Sequence, residues 1–219
     1  MMVDLPHRVQ EAIRRDFPVL PVPSVPEIRL HRAGPKSGLW RLAEWDAAFS
    51  TPYWAHLWGG GIALARYVLD HPDSVAGKRV LDLGTGSGLV AIAARKAGAR
   101  AVLASDNDRY ALAAALLNAE INGEDIATIE GDLTSGPPPA VDIVLIGDLF
   151  YEQALADRVT VFMDRCVTDN IEVLVGDPGR AFLPRDRLQM LEEYAGTDFG
   201  IDGATNSSRN SVFAFRRDL

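Results

Sequence analysis

From Gly59 onward, short apolar runs alternate with longer helical stretches, and this alternation constrains the fold more than any other feature of the chain. The apolar runs show no strict polar alternation, which is typical of strands buried on both faces of a parallel sheet. The helical stretches between them would then cover those two faces. The pattern predicts an α/β fold in which helices doubly wind a mainly parallel sheet.

The sequence also predicts where these elements lie. The expected strands are 79–83, 101–105, 126–130, 141–146 and 171–175, and the expected helices are 62–69, 88–97, 109–122 and one that begins at Tyr151. Two further runs, 199–201 and 212–215, flank a turn rich in Gly, Asn and Ser, as neighbouring antiparallel strands do. We therefore expect the chain to end in an antiparallel pair.

The first fifty residues have a different character, so we divide the chain into an N-terminal arm (1–50) and a main domain (51–219). Apolar residues at every fourth position predict a short helix from Asp4 that ends at Pro18. The stretch 18–26 contains four prolines and predicts an extended connector. Segments 27–31 and 38–45 fit short strands or loops.

Composition excludes several classes of function. The 22 basic and 30 acidic residues give a formal charge of -8, the wrong sign for a protein that neutralises nucleic-acid phosphates. One cysteine allows neither an internal disulfide nor a multi-thiolate metal site. We see no signal-peptide pattern and no long apolar run. The expectation is a soluble, cytoplasmic, monomeric protein with no metal and no membrane partner.

The segment 82–88, DLGTGSG, stands where a predicted strand meets a predicted helix. Glycines there let the main chain approach a ligand closely and leave helix N–H groups available. A dinucleotide fingerprint would require a small residue at position 89, which is Leu89. The turn therefore predicts a ligand site that departs from the dinucleotide pattern.

Acidic residues follow the predicted strands at the same edge of the sheet. Asp106 ends the second strand, 22 residues after Gly84, where a carboxylate can accept the hydroxyl groups of a ribose. Asp132 closes the third. An isolated Asp at such a turn usually only caps a helix or a turn. Beside the glycine turn, however, the three acids Asp82, Asp106 and Asp132 indicate one ligand crevice.

Segment 80–88 resembles motif I of the seven-β-strand, S-adenosylmethionine-dependent methyltransferases. The resemblance implies a Rossmann-like, seven-stranded sheet whose last strand is antiparallel, and S-adenosylmethionine as the cofactor. It also implies that Asp106 holds the ribose and that Asp132 lies beside the adenine. The cofactor-binding residues expected on this basis are Trp58, Asp82, Gly84, Gly86, Gly88, Asp106, Asn107, Asp132 and Leu133.

The segment 148–151, DLFY, is similar to the D-x-x-Y signature of the family 16 protein lysine methyltransferases. Within that family, segments 52–61 and 176–180 look most like those of the electron transfer flavoprotein β-subunit lysine methyltransferases. The resemblance implies that Asp148 and Tyr151 are catalytic and that, together with Trp54, they face the acceptor. It also implies that the partner is the electron transfer flavoprotein β subunit.

The chemistry of such an acceptor site can be stated in advance. A sulfonium methyl group is attacked in line by a neutral amine, whereas free lysine has a pKa of about 10.4. Burial would lower that pKa, but a carboxylate such as Asp148 would raise it. We therefore expect Asp148 to anchor the incoming ammonium group. Tyr151 and Trp54 would form aromatic walls around the cationic side chain.

Several alternatives stay open at this point. The aromatic residues could be ordinary packing residues, Asp148 could cap the helix predicted after it, and Asp177 and Arg180 could form a turn with a surface ion pair. The arm could close over the pocket through Arg41 or Trp45. The acceptor could be a small amine or a ribosomal protein, the domain could be a non-catalytic module, and a nucleotide-dependent oxidoreductase would bind NAD instead.

Overall fold

A computed structural model describes residues 5–34, 37–38, 49, 51–199 and 205–216. Arg41 and Trp45, which we considered as closing residues of the arm, lie outside the described residues. The helices are α1 (Leu5–Asp16), α2 (Gly59–Asp70), α3 (Leu89–Lys96), α4 (Arg109–Ile121) and α5 (Gln153–Thr168). The strands are β1 (Val19–Val22), β2 (Val25–His31), β3 (Arg79–Leu83), β4 (Ala101–Asp106), β5 (Ala127–Glu130), β6 (Ile143–Gly147), β7 (Glu172–Asp177), β8 (Leu188–Phe199) and β9 (Thr205–Phe215).

The main sheet has seven strands in the order β5-β4-β3-β6-β7-β9-β8. The strands from β5 to β7 pair in parallel, and β9 runs antiparallel to both of its neighbours. This confirms the expected fold class, including the reversed last strand. Because Leu83 pairs with Ser105 on one side and Ile146 on the other, the carboxyl ends of the three central strands lie level. Loops that follow these strands therefore meet at one edge.

Successive residues of the central strands face two separate apolar layers. Leu145 packs into a cluster with α2 and α3, whereas Val144 and Ile146 pack into a second cluster with α5. All three side chains are fully buried, which explains why the strand shows no polar alternation. Cys166 of α5 lies in the second layer, and burial raises the pKa of its thiol to about 12. As expected, it is an inert core residue.

The N-terminal residues form a helix and a hairpin that pack onto the main domain. The helix α1 confirms the predicted helix, but the expected connector 18–26 is wrong in part, because most of it belongs to the antiparallel ribbon β1–β2. The missing N–H groups of Pro21 and Pro26 are tolerated since both strands of a two-stranded ribbon have an open edge. The side chains of Val22 and Val25 are buried in the main core.

The C-terminal pair is longer than the sequence predicted. The expected run 212–215 is only part of β9 (Thr205–Phe215), and of the run 199–201 only Phe199 belongs to β8 (Leu188–Phe199), since 200–201 lie outside the described residues. The first eleven residues of β8 were missed because this edge strand carries acidic and exposed apolar residues instead of a continuous apolar run. Met190, for example, is half exposed.

The described residues lack two features, a membrane-spanning helix and a cluster of metal-binding side chains. None of their helices combines the length and the apolar character that a membrane span requires. They also contain no group of three or more His, Cys, Asp or Glu side chains that could hold a metal ion.

Candidate active site

A cavity of about 520 Å³ opens at the carboxyl edge of β3, β4, β5 and β6. Most residues predicted to bind a ligand line it: Trp54, Trp58, Asp82, Gly84, Gly86, Asp106, Asn107, Asp132, Leu133, Asp148 and Tyr151. Its described lining contains six carboxyl groups but only two arginines, Arg109 and Arg180. A cleft with this balance of charge attracts cations and repels phosphates.

The glycine turn leaves β3 and enters α3 with positive φ angles at Gly84, Gly86 and Gly88. A Cβ atom on Gly84 would lie 2.8 Å from Cδ2 of Leu149, so a side chain there would strike the loop after β6. Gly88 is not among the described lining residues of the cavity. A Cβ on Gly88 would lie 3.0 Å from Ala115 of α4, which gives this position a role in helix packing.

Asp82 lies beneath the turn and holds its shape. Its Oδ2 accepts hydrogen bonds from the Thr85 hydroxyl at 2.6 Å and from the N–H of Ala91 at 3.0 Å. The carboxyl group is buried, and burial raises its pKa to about 7. Much of its hydrogen-bonding capacity is therefore used inside the protein.

Asp106 lies at the end of β4 and is tied to the same turn. Its Oδ2 accepts the N–H of Gly86 at 2.9 Å, and its Oδ1 accepts the N–H of Asp108 at 3.0 Å. Burial raises the pKa of this carboxyl group above its ordinary value. The main chain of Asn107 also donates to this carboxyl group, so the protein uses much of its hydrogen-bonding capacity.

Asp132 follows β5 and begins the short 3₁₀ segment Leu133–Ser135. Its Oδ1 accepts the N–H of Thr134 at 2.8 Å and also the hydroxyl group of Thr134. The side chain is 36% exposed, and its Oδ2 lies 3.5 Å from Nε of Arg158. The residue therefore caps a local turn and also lines the cavity.

Asp148 is buried at the end of β6 and has a φ angle of +60°, which is unusual for a residue other than glycine. Its Oδ2 accepts the N–H of Gly61 at 2.7 Å, and its Oδ1 accepts two N–H groups of Arg180, from Nε at 3.1 Å and from Nη2 at 2.6 Å. Burial raises the pKa of this carboxyl group, and Arg180 opposes that rise. The residue that caps α5 is Glu152, so the capping role considered for Asp148 is wrong.

The segment after β7 also differs from the surface ion pair that we considered. Arg180 is almost buried and pairs with Asp148. Asp177 instead accepts the main-chain N–H groups of Gly179 and Arg180, both at 2.6 Å. No spacing in the sequence indicates the Asp148–Arg180 pair, because the two residues are 32 positions apart and belong to different strand ends.

Two aromatic side chains of the cavity are exposed, those of Tyr53 and Tyr151, and that of Trp58 is partly buried. The ring centroid of Tyr53 lies 5.9 Å from that of Tyr151 and 5.7 Å from that of Trp58. Trp54, which we expected to face the acceptor, is only 3% exposed and stacks on Phe17 at 5.8 Å. Tyr53, 47% exposed, has the more accessible ring. Sequence reasoning missed it, although it is the neighbour of Trp54.

Comparisons with known proteins agree with this geometry. Residues 64–146 match a family model described as ribosomal protein L11 methyltransferase (PrmA). The crystal structure of a ribosomal protein L11 methylase from Lactobacillus delbrueckii superposes with a TM-score of 0.51 at 24% identity, covering 70% of this chain and 77% of that one. The sheet order is that of the Rossmann-like class I methyltransferase fold.

Two vertebrate relatives match much more of the chain. The electron transfer flavoprotein beta subunit lysine methyltransferase of Xenopus laevis is 39% identical over 199 residues, covering 88% of this chain and 81% of the relative. The protein of the same name from Danio rerio is 42% identical over 158 residues, and the match spans 61% of its length. The chain belongs to the family of electron transfer flavoprotein beta subunit lysine methyltransferases.

Proposed function

We propose that this protein transfers a methyl group from S-adenosylmethionine to a lysine side chain of a protein, with the electron transfer flavoprotein β subunit as the acceptor. Family membership supports the reaction class. One observation in the molecule itself carries the proposal, namely the charge of the cavity beside the glycine turn.

The charge of the cavity distinguishes between two classes of ligand that bind at glycine turns, dinucleotides and S-adenosylmethionine. The cavity lining has six carboxyl groups against two arginines, so the phosphates of a dinucleotide would meet net repulsion. A sulfonium compound is cationic at sulfur and has no phosphate. The charge balance therefore supports S-adenosylmethionine over NAD.

The residues at the carboxyl edge suit the parts of this cofactor. Asp106 lines the cavity where it would accept the ribose hydroxyl groups, and Asp132 and Leu133 would border the adenine. The main chain around Gly84 and Gly86, together with Trp58, would border the rest of the cofactor. When bound, S-adenosylmethionine supplies an electrophilic methyl group.

The acceptor end of the cavity contains Asp148, Tyr151 and Tyr53. The two tyrosine rings form an accessible aromatic wall along which the aliphatic part of a lysine could lie. The lysine amine must enter without its proton, since its lone pair forms the new N–C bond while the C–S bond breaks and leaves its electron pair on sulfur. The methylated amine then carries the charge and returns one proton to solvent.

The identity of the acceptor protein rests on the extent of the matches. The L11 methyltransferase model ends at residue 146 and so stops before Asp148 and Arg180. The match with the Xenopus laevis relative covers 88% of the chain. A ribosomal protein is the second candidate. The segment that matches the L11 methyltransferase model, 64–146, contains residues proposed to bind the cofactor but none of those proposed to bind the acceptor.

A transfer assay distinguishes these candidates. Purified electron transfer flavoprotein, ribosomal protein L11 and a small-amine mixture would each be incubated with the enzyme and donor labelled in the methyl group, followed by peptide mapping. We expect label on a lysine of the flavoprotein β subunit. Label only on L11 or on a small amine would reject the proposed acceptor, and no transfer to any of them or to protein in a lysate would favour a non-catalytic module.

A further inference from the structure

Asp148 has little capacity left for a lysine ammonium group. A carboxylate offers about four acceptor positions. Arg180 takes two on Oδ1, at 3.1 and 2.6 Å, and the N–H of Gly61 takes one on Oδ2 at 2.7 Å. The negative charge of Asp148 is also balanced by Arg180 in a direct ion pair of 2.6 Å, in a place where both side chains are about one-tenth exposed.

Arg180 is held in this position from several sides. Its main-chain N–H donates a hydrogen bond to Asp177, and its guanidinium carbon lies 5.5 Å from the ring centre of Trp58. Arg185 donates to the carbonyl oxygen of Gly179 at 2.8 Å and so braces the same loop. Moving Arg180 aside would break these contacts and leave Asp148 buried without its partner, which is costly.

The other charged groups around the pair include the carboxyl groups of Glu152 and Asp106, which act on Tyr151 in the opposite sense to Arg180. Asp177 is buried behind the pair, and it is not among the described residues that line the cavity. Tyr53 and Tyr151 lie on the open side, and burial raises the pKa of Tyr151 above its ordinary value, so the phenol of Tyr151 is neutral near pH 7. The Asp148–Arg180 pair that an entering lysine meets therefore carries no net charge.

We propose that Arg180 is a positioning residue that makes this site select the neutral amine of the acceptor lysine over its ammonium form. This inference rests on the proposed function and names a feature of its specificity. Arg180 neutralises Asp148, so no unpaired carboxylate lies beside the acceptor position to hold an ammonium group. An ammonium group must therefore lose its proton to solvent on entering, and the amine that arrives is already the nucleophile.

The direction of the pH effect follows from the charges. Methyl transfer requires the neutral amine, so its rate falls below the pKa of the bound lysine. A nearby positive charge lowers that pKa, and a nearby unpaired carboxylate raises it. Removing the charge of Arg180 therefore moves the acidic limb of the rate profile to higher pH.

Two variants separate charge from hydrogen bonding. Arg180→Gln can still donate a hydrogen bond to Asp148 but is neutral, whereas Arg180→Lys keeps the positive charge. We would measure the single-turnover rate of methyl transfer to the acceptor protein from pH 6 to 10, with thermal unfolding to verify the fold. The expected shift is about 1 to 2 pH units upward for Arg180→Gln, with Arg180→Lys close to wild type. An unshifted limb in an active Arg180→Gln, or an equal shift in both variants, would overturn the inference.

A measurement on the wild type covers the case in which Arg180→Gln fails to fold. The ¹³Cε resonance of the acceptor lysine would be titrated in the complex with enzyme and S-adenosylhomocysteine. The expected pKa of the bound lysine lies below the free value of about 10.4, and a value at or above it would overturn the inference. A wild type that transfers no methyl group to any protein would instead defeat the proposed function, so the two failures are distinguishable.

Discussion

The side-chain amide nitrogen of Asn118 donates a hydrogen bond to the main-chain oxygen of Ser87 at 2.8 Å. The carbonyl oxygen of the same side chain accepts the N–H of His31, also at 2.8 Å. Asn118 is fully buried in α4, so one side chain joins the N-terminal hairpin to the glycine turn. The N-terminal segment is thus part of the support of the ligand site.

Asn118→Leu tests this connection. The substitution leaves the buried His31 N–H and the partly buried Ser87 carbonyl without these partners, which should lower the free energy of unfolding by about 2 to 4 kcal/mol. A displaced turn should also weaken binding of S-adenosylmethionine by about tenfold, which corresponds to about 1.4 kcal/mol. Thermal unfolding and titration calorimetry measure the two effects.

Asn122→Leu is the matched control. Asn122 exchanges hydrogen bonds with the main chain of Arg29 and donates to the main-chain oxygen of Asn118, but it makes no side-chain bond to the glycine turn. This variant should lose stability while its affinity for the cofactor stays near the wild-type value. Equal losses of affinity in both variants would show that the Ser87 bond has no special role.

Tyr53→Ala and Trp54→Ala should affect different properties. Trp54 is a core residue stacked on Phe17, and truncation of a buried aromatic side chain costs about 3 to 5 kcal/mol of stability. Tyr53 is half exposed beside Tyr151, so its truncation should raise KM for the acceptor protein with little change in Tm. Steady-state kinetics and thermal unfolding of the two variants decide between these roles. A stable Trp54→Ala with a raised KM would restore the role first expected for Trp54.

The raised pKa of Asp82 predicts that the stability of the protein depends on pH. Its pKa is raised to about 7 in the folded protein, against an ordinary value of 3.8, so the folded state holds this proton more tightly than the unfolded chain. The resulting stabilisation is complete below about pH 4 and is lost as the pH rises to about 7. The difference in Tm between wild type and Asp82→Asn should therefore fall across this range and level off above it.

Asp142 provides a control of opposite sign. Its pKa is lowered to about 2, chiefly by hydrogen bonds from the exposed Arg79, so its contribution is present above pH 4 and is lost as the pH falls towards 2. Asp142→Asn should consequently approach wild-type stability only in strong acid. A difference for Asp82→Asn that grew between pH 4 and pH 7 would contradict the raised pKa.

Local sequence patterns were sufficient for the central part of the fold. The strand 79–83 was predicted at its observed bounds, because buried parallel strands are apolar without interruption and the glycine turn marks where the strand stops. The strands β1 and β8 were missed. Their residues pack on only one side or along an edge, so Pro21 and Met190 are tolerated there for reasons that only the tertiary structure supplies.

The site was predictable to the extent that its residues follow strand ends. Asp106 and Asp132 close successive strands and were brought to one cavity as expected. The pairing of Asp148 with Arg180 and the exposure of Tyr53 in place of Trp54 depend on side-chain directions set by packing against Gly61, Trp58 and Phe17. No periodicity in the sequence encodes those directions.

The central claim is that the acidic cavity beside the glycine turn binds the sulfonium cofactor. Titration calorimetry of the purified protein with S-adenosylmethionine and with NAD tests it directly, with Asp106→Ala as the site variant. The account predicts binding of S-adenosylmethionine, no binding of NAD, and an affinity about 10- to 150-fold weaker in Asp106→Ala, as for loss of a charged hydrogen bond. Binding of NAD at this site, or no binding of S-adenosylmethionine, would contradict it.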